Sequence, residues 1–302
     1  MKISILYKGS SSERQISEIS GRQIEIACCS LGYKVQMVNP AKFSPSELID
    51  LLKKQKCDVV VNALHGGAGE NGQLQTLLEL AQIPFTGSPS KASTISMDKK
   101  FATALVRQIG LPTAKSISLK KGEKIKTSTI EKRVGLPMVV KPNCGGSSLG
   151  ISIVQDRANL QNAIKTAFEF DEEILCEKYI KGREITCTIL SGEALPVVEV
   201  CPKNGFYDFT NKYTKGSTDY IVPAKLSTKQ TKKVQKYAER IFGFFGCRGY
   251  ARIDFRFDGE DFYFLETNTL PGMTPLSLTP MAAKAQGMSF TQLIETIIKQ
   301  SL

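Results

Sequence analysis

Short apolar runs alternate with amphipathic helical stretches over residues 1–90. The predicted strands cover residues 3–7, 33–38 and 58–64. The predicted helices run from residues 9–12 toward residue 32, from the capping box of Ser44 and Glu47 onward, and over residues 72–81. This β-α-β-α order predicts a doubly wound α/β layer, in which ligands bind at loops after the carboxyl ends of the strands.

The pattern changes after a helical connection at residues 91–115, and antiparallel strands with helices are predicted from there on. These strands cover residues 138–141, 150–154, 174–179, 184–190 and 194–200. Residues 206–220 are polar and aromatic without clear periodicity, which is typical of a functional loop or lid. A helix at residues 229–245, two strands within residues 252–268 and a terminal helix at residues 290–299 complete the chain. The pattern therefore predicts an α/β layer followed by α+β structure.

The two late strands carry hard oxygen ligands on apolar segments, namely Asp254, Glu266 and Asn268. Alternate residues of a strand face the same side, so Glu266 and Asn268 project together, as do Arg252 and Asp254. A buried carboxylate needs a cation or hydrogen-bond donors beside it. Two carboxylates and an amide oxygen suit Mg²⁺. The alternative is a strand pair with one solvated face.

The turn between these strands, Asp258-Gly259-Glu260-Asp261, sets their register. We expect an odd number of loop residues, for example 259–261, because Asp254 and Glu266 would then face each other. A two-residue loop would put the two carboxylates on opposite faces.

Composition limits the class of protein. The 302 residues should form two or three lobes, and 41% hydrophobic with 23% charged residues is ordinary for a soluble enzyme. No apolar run approaches the ~18 residues that a membrane span needs, and the first residues read as a strand and not as a secretory signal. Eight cysteines without a C-x-x-C pair indicate reduced thiols in a cytosol.

The net charge of +11 raises the alternative of a non-catalytic, basic protein that binds nucleic acid. The densest lysine clusters, at residues 120–126 and 225–236, do not interleave aromatic residues as single-strand binding surfaces do. Each cluster is more typical of the solvated face of a helix, so nucleic acid is not an expected partner. Excess positive charge also suits a polyanionic substrate such as ATP.

Residues 141–150 form a glycine- and serine-rich loop between two predicted strands. Small residues let backbone N–H groups approach phosphate oxygens, and Lys141 adds a charge at the strand end. The alternative is a plain flexible hairpin. The strand ending in Glu177-Lys178-Tyr179-Ile180 could offer backbone groups to an adenine edge, with Glu184 binding ribose hydroxyls, although a normal strand with an exposed turn would look the same.

Two loops of the amino-terminal layer carry further candidates. Glu13 precedes Ser17 by one helical turn, and the third strand ends in His65-Gly66-Gly67-Ala68-Gly69-Glu70-Asn71-Gly72. His65 is the only histidine in the chain. A lone histidine is more often a satisfied hydrogen-bonding residue than a catalyst, but the position of His65 at a strand's carboxyl end among glycines keeps both interpretations open.

Taken together, the motifs closely resemble those of the D-alanine–D-alanine ligase family, ATP-grasp enzymes of peptidoglycan precursor synthesis. They occur in family order over nearly the full length: Ser11-Ser12-Glu13-Arg14, His65-Gly66 with Gly69-Glu70-Asn71-Gly72, Lys141-Pro142 with Gly146-Ser147-Ser148-Leu149-Gly150, Glu177-Lys178, Asn211-Lys212-Tyr213, Arg252-Ile253-Asp254, Glu266 with Asn268, Pro271-Gly272-Met273-Thr274 and Ser277-Leu278.

The resemblance implies an ATP-grasp fold, in which a doubly wound parallel-sheet domain adjoins two antiparallel β lobes that clasp ATP. The implied division is an N-terminal substrate domain at residues 1–90, a central lobe at residues 91–182 and a catalytic lobe at residues 183–302 with a lid at residues 205–220. It also implies a cytoplasmic homodimer that acts on two D-alanine molecules and ATP.

The resemblance further implies roles for individual residues. The implied nucleotide contacts are Lys99, Lys141, Glu177, Lys178, Ile180, Glu184 and Phe206. The implied ligands of two Mg²⁺ or Mn²⁺ ions are Asp254, Glu266 and Asn268.

The implied substrate contacts come from all parts of the chain. Glu13 would bind the first D-alanine's ammonium, in a network with Ser147 and Tyr213. Arg252 and the Gly272 N–H would stabilise the oxyanion. The remaining implied substrate contacts are His65, Lys212, Ser277 and Leu278. Related D-alanine–D-lactate or D-alanine–D-serine ligases are the nearest alternative.

Overall fold

The computed structural model describes residues 1–203, 214 and 216–302. The predicted nucleotide contact Phe206 and the predicted lid residues Lys212 and Tyr213 lie outside these residues. Within the described residues, no helix is both long and apolar enough to cross a lipid bilayer.

The amino-terminal layer is a parallel sheet flanked by helices, as predicted. Its strands are β1 (Lys2–Leu6), β2 (Lys34–Val38) and β3 (Val59–Asn62), in the order β2-β1-β3. Its helices are α1 (Arg14–Ser30), α2 (Pro45–Gln55) and α3 (Gln73–Leu80). The predicted capping box is present, because Ser44 N–H donates to Glu47 at 2.8 Å and Glu47 N–H donates back to Ser44 at 3.4 Å. The loops after β1 and β3 carry Glu13 and His65.

A helical connection and a second, antiparallel sheet follow. The connection consists of α4 (Ser90–Met97) and α5 (Lys99–Gln108), separated by Asp98, whose side chain caps α5 through Phe101 N–H at 3.0 Å. The sheet contains β4 (Ser116–Lys120), β5 (Met138–Pro142), β6 (Ser152–Val154) and β7 (Glu173–Lys178), in the order β4-β7-β5-β6. One face is covered by α6 (Thr127–Val134) and α7 (Leu160–Ala167).

The third sheet is also antiparallel and contains the predicted metal strands. Its strands are β8 (Arg183–Leu190), β9 (Glu193–Ala194), β10 (Val198–Pro202), β11 (Thr218–Ile221), β12 (Tyr250–Phe257) and β13 (Phe262–Asn268), in the order β11-β10-β8-β12-β13 with β9 paired to β8. Its helices are α8 (Thr228–Phe245), α9 (Leu278–Ala285) and α10 (Phe290–Lys299). The single strand predicted at residues 194–200 was wrong: β9 and β10 are separate, and Pro196, which has no N–H to donate, lies in the break.

The hairpin turn lies at the predicted residues 258–261, but the expected odd number of loop residues was wrong. Phe257 pairs with Phe262, so the loop has an even number of residues, 258–261. A shift of register between Asp254 and Phe255 leaves Leu265 as an extra residue on β13. Because of this bulge, Asp254 and Glu266 still face each other as expected: Asp254 pairs with Glu266, and Arg252 pairs with Asn268.

A shared core joins the amino-terminal layer to the end of the chain. Ile3 and Ile24 of the parallel layer belong to the same buried cluster as Leu270 and Leu293. Arg248 adds polar contacts across this junction, since its guanidinium donates to the carbonyls of Gly87 at 3.0 Å and Phe85 at 2.8 Å. The loops that follow β1, β3 and β13 therefore meet.

Candidate active site

Two adjoining cavities lie where the three sheets converge. The first has a volume of about 330 Å³ and the second about 140 Å³. Arg252, Glu266 and Leu278 line both of them. A ligand in one cavity would therefore contact the same side chains as a ligand in the other.

The first cavity brings together residues from distant parts of the sequence that were predicted to bind substrate, stabilise the oxyanion or hold metal. Those from the first half of the chain are Glu13, His65 and Ser147. Those from the second half are Arg252, Glu266, Asn268, Gly272, Ser277 and Leu278.

The second cavity lies between the two antiparallel sheets. All the described residues that were predicted to contact the nucleotide line it, namely Lys99, Lys141, Glu177, Lys178, Ile180 and Glu184. The carboxylates of Asp254 and Glu266 also face it. Its walls include apolar side chains such as Val139 and Ile153, which suit the faces of a base, while its lysines suit phosphate oxygens.

Asp254 is buried and is held by donors on several sides. Arg252 donates to both carboxylate oxygens at 2.8 Å, and Thr186 Oγ1 donates at 2.5 Å. Asn268 Nδ2 donates at 3.1 Å. Glu266, directly opposite on β13, receives the Lys99 ammonium at 3.3 Å. Both carboxylates are thus compensated by side-chain cations.

The donor set fits a hard divalent cation. Asp254, Glu266 and Asn268 share one face of the β12–β13 pair and offer carboxylate and amide oxygens. Over the described ranges, no group of three or more histidine, cysteine or acidic side chains could hold a metal ion. An ion here would need water or phosphate oxygens as further ligands, which is usual for Mg²⁺ in nucleotide sites.

The lysines of the second cavity are held in place by specific acceptors. Lys141 on β5 and Glu177 on β7 form a buried ion pair at 2.6 Å. Lys99 Nζ also donates to the Gly145 carbonyl at 2.6 Å, which ties the glycine-rich loop to α5. Lys178 Nζ donates to the Leu136 carbonyl at 2.6 Å.

The glycine-rich loop has a strained backbone next to Glu13. Ser147 and Ser148 have φ values of 53° and 58°, in the left-handed region that non-glycine residues rarely adopt. A Cβ atom on Gly146 would lie 2.6 Å from Glu13 Oε1, so a larger residue here would displace the Glu13 carboxylate. The loop lines both cavities, through Gly146 and Ser147 in the first and Ser148 in the second, which is where an anion-binding loop would be needed.

The edge of the second cavity is organised by Arg256. Its guanidinium contacts Glu184 at 3.4 Å, donates to the Gly182 carbonyl at 2.6 Å and lies over the Tyr179 ring at 5.8 Å from the centroid. These contacts hold the β7–β8 connection, which carries Ile180, against β12.

His65 is buried, and both ring nitrogens have partners. Nδ1 lies 3.1 Å from the Leu270 carbonyl, and Nε2 lies 2.9 Å from Ser20 Oγ. Burial lowers the pKa of His65 to about 4, opposed by the bond to Leu270 and assisted by the positive charge of Arg252. The imidazole is therefore neutral near pH 7.

Sequence reasoning missed three residues that shape the site. Glu70 lines the first cavity, and burial together with the charge of Glu13 raises its pKa to about 7. It stands in the His65–Gly72 motif, which could have identified it. Ser20 lies seven positions after Glu13 on one face of α1, so helical periodicity was an available signal. Nothing in the pattern around Thr186 indicated its bond to Asp254.

A parallel-sheet layer beside two antiparallel sheets with a lysine-lined cavity between them defines an ATP-grasp protein. The family models described as "D-ala D-ala ligase N-terminus" and "D-ala D-ala ligase C-terminus" match residues 39–88 and 105–299. The D-alanine--D-alanine ligase of Syntrophotalea carbinolica is 41% identical over 297 residues, which cover 98% of this chain and 95% of the relative. The chain belongs to the D-alanine–D-alanine ligase family, which confirms the prediction from its motifs.

Solved structures agree with this assignment. The D-alanine--D-alanine ligase from Bacillus anthracis matches with a TM-score of 0.88 and 36% identity, covering 100% of this chain and 97% of that one. The same enzyme complexed with ATP matches with a TM-score of 0.87 at 34% identity and the same coverage, 100% and 97%. The VanG D-Ala:D-Ser ligase from Enterococcus faecalis matches with a TM-score of 0.85 at 28% identity, covering 100% and 99%.

Proposed function

We propose that this chain joins two D-alanine molecules into D-alanyl-D-alanine for peptidoglycan precursor synthesis, using ATP and releasing ADP and phosphate. The observation that carries this proposal is the junction of the two cavities at Arg252, Glu266 and Leu278. There a nucleotide's terminal phosphate and an amino acid's carboxylate would meet among cationic side chains.

The chemistry follows from the poor electrophilicity of a carboxylate. An oxygen of the first D-alanine's carboxylate attacks the γ-phosphorus, the bond to ADP breaks, and an acyl phosphate forms. The amine of the second D-alanine then attacks the acyl carbon. A tetrahedral oxyanion forms, the bond to phosphate breaks, the departing phosphate takes up the proton that the amine loses, and the dipeptide remains. Exclusion of water protects the acyl phosphate from hydrolysis.

ATP lies in the second cavity in this proposal. Lys99 and Lys141 contact phosphate oxygens, which is supported by their place in the lining of the second cavity and by the bond from Lys99 to the Gly145 carbonyl. The backbone of Lys178 and Ile180, beside Glu177, meets the adenine edge, and Glu184 binds the ribose. Phe206, which lies outside the described residues, would complete the adenine contacts. Asp254, Glu266 and Asn268 would hold two Mg²⁺ or Mn²⁺ ions, whose charge would offset that of the phosphates.

D-Alanine occupies the first cavity. Glu13 binds the ammonium of the first molecule, within a network that includes Ser147 and Tyr213. Ser277 and Leu278, at the start of α9, receive the carboxylate of the second molecule, as expected where backbone N–H groups are exposed.

The remaining roles concern the oxyanion and the lid. Arg252 and the Gly272 N–H stabilise the oxyanion. Lys212 reaches phosphate or carboxylate oxygens from the lid at residues 205–220. His65 lines the first cavity and assists substrate binding from its buried position, where it is held by Ser20 and Leu270.

We also propose the domain division at residues 90 and 182, a homodimer and a cytoplasmic location. The division is supported by the grouping of β1–β3, β4–β7 and β8–β13 into separate sheets. The eight cysteines are free thiols, which suits a reducing compartment. Sedimentation of the purified chain would test the dimer.

A coupled ADP-release assay with D-alanine, L-alanine, D-lactate and D-serine, with and without Mg²⁺, tests the function. We expect Mg²⁺-dependent release with D-alanine alone. Release that requires D-serine beside D-alanine would instead favour a ligase of the VanG type, to which this chain is also similar. Release that requires D-lactate would favour a D-alanine–D-lactate ligase. Salt-sensitive nucleic-acid binding without ATP turnover would contradict the proposal.

A further inference from the structure

A buried chain of hydrogen bonds joins α1, the end of β3 and the loop after β13. The Leu270 carbonyl lies 3.1 Å from His65 Nδ1. His65 Nε2 lies 2.9 Å from Ser20 Oγ. Ser20 Oγ in turn accepts from the Met273 N–H at 3.2 Å. Ser20 is 0% exposed and His65 is 5% exposed, so bulk water does not compete for these bonds.

The direction of each hydrogen bond follows from the two backbone groups at its ends. A carbonyl only accepts, so His65 Nδ1 carries the proton and donates to Leu270. Nε2 then has a lone pair, to which the Ser20 hydroxyl donates. The Ser20 oxygen is left to accept from the Met273 N–H. Every donor has one acceptor, and removing either side chain leaves a buried polar group without its partner.

The two backbone anchors, Leu270 and Met273, flank Pro271-Gly272. On its other side, this loop is closed by Ser277, whose Oγ accepts from the Thr274 N–H at 2.9 Å. A Cβ atom on Gly272 would lie 2.7 Å from Ser277 Oγ, so the loop passes close to the start of α9. The peptide that presents the Gly272 N–H is thus held from both sides.

We propose that Ser20 and His65 are positioning residues that orient the Gly272 N–H toward the oxyanion of the second reaction step. This inference rests on the proposed function. An oxyanion donor must lie about 3 Å from the oxyanion, and it acts only in the step that develops the charge. Ser20 and His65 contribute through the backbone of residues 270–273 and do not touch the reacting atoms.

This arrangement excludes a proton-accepting role for His65. The lone pair of Nε2 is already used by the Ser20 hydroxyl, and Nδ1 carries its proton toward Leu270. The low pKa of His65, about 4, agrees with an imidazole that stays neutral through the catalytic pH range.

The test compares Ser20→Ala with Ser93→Ala. Ser93 is also a buried helical serine, and its hydroxyl has no hydrogen-bond partner among the described residues, so its replacement controls for loss of a buried hydroxyl. Single-turnover reactions with Mg²⁺-ATP and D-alanine would follow ADP and dipeptide separately. For Ser20→Ala we expect unchanged ADP formation and ATP affinity, with dipeptide formation slowed by about 10- to 100-fold. Ser93→Ala should match the wild type.

Two further measurements distinguish positioning from mere structural support. His65→Asn should lose less activity than His65→Ala, because an amide N–H near the position of Nδ1 retains the bond to Leu270. A phosphinate dipeptide, which mimics the tetrahedral intermediate, should bind Ser20→Ala more weakly by the same factor as dipeptide formation falls. The rate of dipeptide formation by Ser20→Ala, plotted against pH, should keep the inflections of the wild type.

The outcomes separate the inference from the function on which it rests. Wild-type protein that forms no dipeptide overturns the proposed function. Wild-type protein that forms dipeptide, while Ser20→Ala forms it at the same rate, overturns the positioning role alone. Equal slowing of ADP and dipeptide formation, or equal weakening of ATP and phosphinate binding, also overturns it. Should Ser20→Ala fail to fold, the comparison of His65→Asn with His65→Ala decides by the same readouts.

Discussion

Asp254 and Glu266 lie directly opposite each other on β12 and β13, although the hairpin between the strands has an even number of residues. The extra residue Leu265 reverses the alternation of side chains. Without this bulge, Leu265 would stand opposite Asp254, and Glu266 would face away from the second cavity.

Replacing Arg252 should remove both the proposed oxyanion donor and the compensating charge beside Asp254. We expect Arg252→Ala to lower kcat by about 100- to 1000-fold, because one preorganised donor contributes about 3–4 kcal/mol in the transition state. Steady-state kinetics measure this, with Arg22→Ala as the control, since Arg22 contacts Glu25 and the Tyr7 ring and lines neither cavity. Near-normal turnover of a folded Arg252→Ala would refute the role.

Mg²⁺ alone should stabilise the protein little. Lys99 and Arg252 already compensate Glu266 and Asp254, so an ion without phosphate oxygens gains few new ligands. Mg²⁺ with ADP should raise Tm clearly, because binding to the folded state adds RT ln(1 + [L]/Kd) to its stability. Thermal unfolding with each ligand separately and together checks this. A full shift with millimolar Mg²⁺ alone would contradict it.

Removing one partner of the buried pair of Lys141 and Glu177 should destabilise the folded protein. Lys141→Met leaves the Glu177 carboxylate buried without its partner, and we expect a loss of about 3 kcal/mol in the free energy of unfolding. The double variant Lys141→Met with Glu177→Gln should recover part of that loss. Urea unfolding without nucleotide measures both. Equal stability of the single variant and the wild type would show that the pair contributes nothing.

His65 should make the folded state sensitive to acid. Its pKa is about 4 in the folded protein, below the ordinary 6.5, so the unfolded chain binds more protons between these values. The stability that the neutral His65 contributes is therefore fully present above pH 6.5. As the pH falls toward 4, the free energy of unfolding decreases by up to about 3 kcal/mol through this group. Urea unfolding from pH 7 to 4.5 should show a flatter dependence in His65→Asn. Identical slopes would argue against a neutral, buried imidazole.

Much of the fold was predictable because local patterns agreed with the final packing. The capping box at Ser44 and the alternation on β12 and β13 are statements about neighbours in sequence, and both are present. The bulge at Leu265 was not predictable, because nothing local distinguishes one apolar strand residue from another. The contact of Thr186 with Asp254 depends on the pairing of β8 with β12, between residues far apart in the chain.

The residues that line the site were predictable from the sequence, but the hydrogen bonds that join them were not. The motif residues Glu13, Ser147 and Arg252 line one cavity, as the resemblance implied. The hydrogen bonds from Ser20 through His65 to the loop after β13 join segments that only the tertiary structure brings together.

Transfer of oxygen from substrate to phosphate tests most directly whether the two cavities unite a carboxylate with the γ-phosphate. D-Alanine labelled with ¹⁸O in both carboxylate positions would be incubated with unlabelled Mg²⁺-ATP, and the phosphate analysed by mass spectrometry. We expect one ¹⁸O in each phosphate and one in each new amide carbonyl. Dipeptide accompanied by unlabelled phosphate would contradict it.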